Sequence, residues 1–297
     1  MNREAESAVS CGRAVATDLG PIGVWWNGSW DADEASLADV ASELESLGYG
    51  ALWSSGLFEP GLAPHFASLL GATDRLKVAS GIVSIWATEP DELSLAVAEL
   101  EERYPGRFLL GLGTSHADLV QGYERPLARM VAFLDALDMS PTPPRRRVLA
   151  ALRPRMLDLA ARRSAGAHPY LVPVEHTAVA RSTMGPDPVL APEVAVVLER
   201  DPSRARTLAR EFVARRIGRP NYAENLRALG YDDDDLAGGG SDRLVDALVS
   251  WGDSAAIAER VHEHLDAGAD HVCVQVVADQ RSFPLAAYRE LAPALLG

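Results

Sequence analysis

The sequence predicts an α/β fold, a parallel (β/α)8 TIM barrel with a helical insertion before its eighth strand. Three observations carry this expectation. Apolar runs of strand length alternate with amphipathic helical stretches along the 297 residues. Eight such runs can be assigned, the number that closes a parallel barrel. The first strand-to-helix turn, WWNGSWDADE, lacks the G-x-G-x-x-G expected there in a doubly wound open sheet.

Residues 1–18 show no periodic pattern and are expected to form a flexible tail, leaving residues 19–297 as one domain. GPIGVWW (20–26) is short, apolar and glycine-flanked, and reads as strand 1. Leu37, Val40, Leu44 and Leu47 then share a helical stripe that Gly48 closes. YGALWS (49–54) and LKVASGIVSI (76–85) read as strands 2 and 3, and Thr88 with Asp91 as the opening of the next helix. RFLLGLG (107–113) is strand 4. RVLAAL (147–152), GAHPYLV (166–172), VLAPEVAVVL (189–198) and DHVCVQVV (270–277) follow as strands 5 to 8. The segment from about 200 to 250 shows helices and no strand. Ile257, Val261 and Leu265 mark a later helix, closed by Gly268.

Composition narrows the function. With 42 Asp plus Glu against 28 Lys plus Arg, the net charge of -14 disfavours nucleic acid and anionic membranes as partners. An anionic ligand must therefore meet a local basic site. No apolar run has the length of a membrane span. The opening MNREAESAVS lacks the basic start and apolar core of a secretory signal, so a cytoplasmic location is expected. Cys11 and Cys273 suit neither a disulfide framework nor a thiolate metal site. His262 and His264, two apart on a helix, do not converge, and no metal site is expected. The DDDD run at 232–235 reads as a solvated loop.

In such a barrel the chemistry sits at the C-terminal ends of the strands. That rule selects 25–27, 54–56, 84–86, 111–116, 152–155, 168–170 and 192–193. It rejects PTPPRRR (141–147), which precedes strand 5 and reads as a solvated basic loop on the opposite face. LRPRM (152–156) starts a helix, with Pro154 suited to the first turn. Arg153 and Arg155 there either hold a phosphate or carboxylate or are merely solvated. The strand 4 end, Gly111 to His116, pairs two glycines with small polar groups, which reads as clearance for a flat ligand with a polar edge. Gly81 within strand 3 suggests a bulge or a close approach, with plain packing as the alternative. His116, His168 and Glu193 are the candidates for proton transfer, because each lies at a strand end. The two histidines have the alternative role of orienting a loop. No G-x-S-x-G elbow and no close carboxylate pair occurs, which points to chemistry carried by a cofactor.

GRFLLGLGTSH after ERYPGR, LRPRMLDLAARRSAGAHPY, RPNYAENLRALG and HLDAGADHVCVQV, in this order and spacing, resemble the bacterial luciferase-like monooxygenase superfamily. The similarity is greater to its branch that uses the deazaflavin coenzyme F420, in an actinobacterial oxidoreductase subfamily. The resemblance implies a barrel whose cofactor stacks at the strand C-termini against a bulge with a non-prolyl cis peptide, here near Gly81 and Ile82. It implies that Gly113, Thr114, Ser115 and His116 line that cofactor, and that Arg153, Pro154 and Arg155 receive its phosphate-bearing tail. The implied reaction is hydride transfer between the deazaflavin and a small organic substrate, in a possible homodimer. An FMN-dependent monooxygenase and a non-catalytic cofactor-binding protein are the alternatives. Relatives acting on sugar phosphates carry an Asp-His pair where this chain has Ser54, Ser55 and Gly56, and often a glycine where Arg153 stands.

Overall fold

The computed structural model describes residues 13–16, 18–26, 34–55, 62–140, 143–278 and 282–297. Cys11, Asn27 and Gly56 lie outside them. The first strand, β1 (Ile22–Trp26), is followed by α1 (Glu34–Leu47), β2 (Ala51–Ser54), α2 (Leu62–Gly71), β3 (Lys77–Ser80) and β4 (Val83–Ser84). Next come α3 (Pro90–Arg103), β5 (Phe108–Gly113), α4 (Pro126–Asp138), β6 (Arg147–Leu149), α5 (Pro154–Arg163), β7 (Gly166–Ala167) and α6 (Val174–Met184). β8 (Val189–Leu190) and β9 (Glu193–Leu198) are two pieces of one strand, interrupted at Ala191 and Pro192. On one edge this strand bonds to 165–169, and on the other to 270–273. All pairings are parallel, and this seventh strand closes the barrel against β11 (Val272–Val276). The fold class is the one the alternation predicts.

Apolar side chains fill two layers. One lies between the strands and the surrounding helices, and holds Val24, Leu52, Val78, Phe108, Leu110, Ile257 and Val261. The other fills the barrel interior with Trp25, Trp53, Ala79, Leu109, Val148, Val189 and Cys273. Within it, Trp53 Nε1 donates to His271 Nε2 at 3.0 Å, and His271 Nδ1 donates to the Gly20 carbonyl at 2.7 Å. The other face of Trp53 stacks on His168, centroids 4.3 Å apart at 16°.

β3 and β4 are separated by a bulge. Ala79 pairs with Leu109 and Val83 with Leu112, so four steps on one strand face three on the other. Ser80 fills the gap: its hydroxyl donates to the Gly111 carbonyl at 3.0 Å and accepts from the Gly111 N–H at 2.8 Å. The peptide bond between Gly81 and Ile82 is cis. This corrects the reading of the strand 4 glycines. A Cβ on Gly111 would stand 1.9 Å from the Ser80 carbonyl oxygen, and one on Gly113 would stand 2.5 Å from Ile82 Cδ1. The glycines clear the neighbouring strand's bulge before they clear any ligand.

Several other expectations also change. Residues 13–16 are helical, and Val15 and Ala16 pack on the interior cluster around Leu19, where the barrel bottom needs an apolar cover. Helix α3 starts at Pro90 with Glu89 as its cap, and Thr88 makes no capping bond because proline sets the first turn instead. In PTPPRRR, Arg146 pairs with Glu101 at 3.1 Å. Arg147 is fully buried, donating to Asp138 and to the Arg163 carbonyl, so Arg146 and Arg147 are held on the protein, whereas Arg145 is exposed. Strands 5 and 6 end earlier than read. Pro169 offers no N–H to a ladder, and Leu171 turns the chain at φ 55.

The insertion contains α7 (Pro202–Ile217), α8 (Pro220–Ala228), α9 (Asp233–Leu236) and α10 (Asp242–Leu248), then β10 (Val249–Gly252). β10 was not expected. It pairs in parallel with the upper part of β9, Val249 opposite Ala195, on the edge that strand 6 leaves vacant. Helix α11 (Ser254–Asp266) leads to β11, and α12 (Leu285–Leu296) ends the chain. The DDDD run is ordered: Asp232 caps α9, and Asp235 accepts from Ser241 and Arg243.

Two glycine substitutions test the bulge. Gly111→Ala should lower unfolding free energy by about 3 kcal/mol, the upper end of ordinary overpacking. Gly218→Ala should change it by no more than about 0.5 kcal/mol, because Gly218 has helical φ -69 and no atom within 4 Å of its added Cβ. Urea denaturation of the two variants measures both.

Candidate active site

A cavity of about 1550 Å³ opens at the C-terminal ends of the strands. Its floor is the bulge. Gly81 and Ile82 line it, and the Trp25 indole lies so close that its Nε1 is 2.4 Å from where a Gly81 Cβ would stand. Tyr170 packs beside Trp25, with ring centroids 5.0 Å apart.

One wall is the end of β5. Gly113, Thr114, Ser115 and His116 all line the cavity. The Thr114 carbonyl accepts from Trp86 Nε1 at 2.8 Å, and Ser115 turns the chain at φ 54, a conformation a short polar residue tolerates. His116 packs on Tyr222, centroids 5.1 Å apart, and its Nδ1 is buried without a partner. Burial, helped by the nearby Arg219 charge, lowers its pKa to about 4, so the ring is neutral near pH 7.

The adjoining wall starts at the N-terminus of α5, which follows β6, the neighbour of β5. Arg153 holds the N-cap position without a side-chain capping bond, Pro154 opens the helix, and Arg155 follows; all three line the cavity and are exposed. Among the described residues neither arginine has an ion-pair partner. His168 also lines the cavity. Its Nδ1 donates to the Ala191 carbonyl at 2.7 Å, which assigns the tautomer and leaves Nε2 as a bare, unpartnered acceptor. Burial lowers its pKa to about 4.

Glu193 is not part of the lining. It is buried inside the barrel, one carboxylate oxygen accepting from the Leu171 N–H at 3.1 Å and the other without a partner. Burial raises its pKa from 4.5 to about 7, against the Leu171 hydrogen bond and the Arg216 charge. Trp26 faces outward onto Phe283, and Ser54 bonds His65 Nε2 at 3.1 Å, whereas Ser55 lines the cavity. Among the described residues no three His, Cys, Asp or Glu side chains converge as a metal site, and no helix is long and apolar enough to cross a membrane.

The sequence reading missed the contribution of the insertion. Arg215, Arg216, Arg219, Asn221 and Tyr222 come from the junction of α7 and α8 and complete the cavity. With Arg125, Arg153 and Arg155 they make six lining arginines, against one lining carboxylate, Asp135, which already pairs with Arg163. The segment RPNYAENLRALG contained the signal, but basic residues at a helix end also have an ordinary electrostatic explanation.

Residues 24–139 match the model of the Luciferase-like monooxygenase family. No curated protein matches the chain. Among solved structures, an F420-dependent secondary alcohol dehydrogenase in complex with an F420–acetone adduct is similar over 94% of this chain and 99% of its own, with TM-score 0.70 and 14% identity. The coenzyme F420-dependent tetrahydromethanopterin reductase of Methanopyrus kandleri gives TM-score 0.67 and 14% identity over 93% and 99% of the two chains. The oxygenating constituent of 3,6-diketocamphane monooxygenase from Pseudomonas putida, in complex with FMN, gives 0.65 and 13% over 92% and 96%. Residues 24–139 are thus similar in sequence to the luciferase-like monooxygenase family, and the chain as a whole shares the fold of these solved structures.

The buried carboxyl gives a pH test. An unfolded Glu193 loses its proton near pH 4.5, whereas the folded one keeps it to about 7. Between those values the folded state binds more protons, so this residue lowers stability as pH rises, and the loss levels off above about 7. Glu193→Gln should match wild type at pH 4 and exceed it at pH 8 by up to roughly 3 kcal/mol. Urea denaturation at pH 4, 6 and 8 measures the difference.

Proposed function

We propose that this protein is an oxidoreductase that uses coenzyme F420 to transfer a hydride to or from an organic substrate. The observation that carries the reading is the charge of the cavity. A chain of net charge -14 places Arg125, Arg153, Arg155 and Arg215, none of them ion-paired among the described residues, and a helix N-terminus around one opening, which suits a polyanionic cofactor tail. FMN, the second reading, is favoured by the similarity to an FMN-containing monooxygenase, but its single phosphate calls for fewer of these cations.

The residues present fit such a cofactor. Trp25 Nε1, His116 Nδ1, Tyr123 Oη and His168 Nε2 are buried polar atoms without partners among the described residues, all on residues that line the cavity. Unpaired buried polar groups cost free energy, which the heteroatoms of a ring edge would recover. Gly81, Ile82 and Trp25 would support the ring face, and Arg153, Arg155 and the first N–H groups of α5 would hold the phosphate. When bound, the deazaflavin supplies the hydride chemistry. His168 Nε2, kept unprotonated by its tautomer, can accept a proton or hydrogen bond from the substrate but cannot donate one. His116, neutral near pH 7, orients the Ser115 turn against Tyr222.

Titration of the purified protein with F420 and with FMN, followed by fluorescence, separates the readings; tighter FMN binding overturns the deazaflavin assignment. Replacing both Arg153 and Arg155 with Ala should weaken F420 binding by roughly 1.5–3 kcal/mol for each charge-assisted bond lost. An unchanged dissociation constant would mean that both side chains are merely solvated.

A further inference from the structure

Helices α7 and α8 are rich in arginine, and most of those charges are neutralised on the protein. Arg206 pairs with Asp246, Arg210 with Asp242, Arg219 with Asp118 and Arg227 with Asp233. Arg215 is exposed to water. Arg216 is neither paired nor solvated. It is 8% exposed and lines the cavity, and no carboxylate among the described residues lies within ion-pairing distance.

Its position is fixed by neutral groups. Nε donates to the Tyr170 hydroxyl at 3.1 Å, Nη1 donates to the Phe212 carbonyl at 2.7 Å, and the guanidinium lies 3.7 Å from the Phe212 ring centroid. The Tyr170 hydroxyl in turn donates to Gln275 Oε1 at 2.9 Å. A guanidinium has five N–H donors. Two are used, and the rest, on the Nη1–Nη2 edge, have no protein acceptor among the described residues. A buried cation without a counter-ion is costly. Glu193, whose carboxyl feels the Arg216 charge, is itself largely protonated below about pH 7.

We propose that Arg216 is the counter-ion for a carboxylate on the organic substrate, which it grips through its Nη1–Nη2 edge. This deepens the oxidoreductase reading and rests on it for the word substrate. Arg216 touches Tyr170, which packs on Trp25 over the Gly81 floor, so the anion it holds lies at the reacting end of the cavity. Arg153 and Arg155 stand on a different element, at the N-terminus of α5. The subsite therefore selects acids over their neutral analogues, with Tyr170 and Tyr222 offering ring faces to the rest of the molecule.

The test uses benzoate and hexanoate against benzamide and hexanamide, titrated by calorimetry into the full chain with and without F420. Wild type should bind each acid at least about tenfold more tightly than its amide. Arg216→Met should abolish that preference, Arg216→Lys should keep part of it, and Arg219→Met should leave it intact. F420 affinity, read by fluorescence, should stay within about twofold of wild type in Arg216→Met. Equal affinity for acid and amide in wild type overturns the proposal, and this comparison holds whether or not Arg216→Met folds. An unchanged preference in Arg216→Met also overturns it. A tenfold loss of F420 affinity in that variant would assign the anion to the cofactor tail and overturn the substrate assignment. If neither F420 nor FMN binds, the oxidoreductase reading fails, while the acid preference is still read in the cofactor-free protein.

Discussion

Ser80 and Gly111 hold the position on which the cavity depends. At the bulge the regular ladder between β3 and β5 stops, and the Ser80 hydroxyl supplies both an acceptor and a donor to the Gly111 backbone. Two buried backbone groups that the bulge would leave unpaired are thereby satisfied. The approach is possible only because residue 111 has no Cβ, since the Ser80 carbonyl occupies that space. Gly113 does the same for Ile82, and Gly81 for the Trp25 indole. Three missing side chains thus let one strand cross close to another and present a flat backbone floor to the cavity.

Beneath that floor the barrel is sealed by an aromatic and imidazole stack rather than by aliphatic layers alone. His271 and His168 each spend Nδ1 on a backbone carbonyl, and Trp53 links them by a hydrogen bond on one side and stacking on the other. Both imidazoles are neutral because burial penalises the charged form. The result is a rigid base that leaves one acceptor, His168 Nε2, at the cavity. Positive charge reaches the cavity from above, through Arg125 at the start of α4 and arginines carried by α5 and by the insertion. An acidic molecule can therefore present a basic mouth without burying a large positive charge in its core.

The barrel was legible because its signals are local. Strand-length apolar runs alternating with amphipathic helices, and glycines at Gly48 and Gly268, need no knowledge of neighbours. The bulge region was legible as well, through an isolated glycine in an apolar run. What the glycines of β5 accommodate was not, because the atoms they avoid belong to another strand. β10 escaped because LVDALVSWG continues the apolar pattern of α10 directly into the strand, without a turn residue between them. Asp232 to Asp235 read as a solvated run because their partners, Ser241 and Arg243, lie on the next helix.

The sequence by itself determined the fold class and the end of the barrel at which the cavity opens, since periodicity and strand order suffice for these. Only the tertiary structure decided which charges count. Arg146 and Arg147 look exposed in sequence yet pair with Glu101 and Asp138, whereas Arg216 sits among paired arginines and has no carboxylate. Glu193 was expected at a strand end, yet it stands midway along the seventh strand, where β9 begins, outside the cavity lining and with its carboxyl desolvated. Whether a charge is solvated, neutralised or available to a ligand depends on distance and burial. Those are set by segments far apart in the chain.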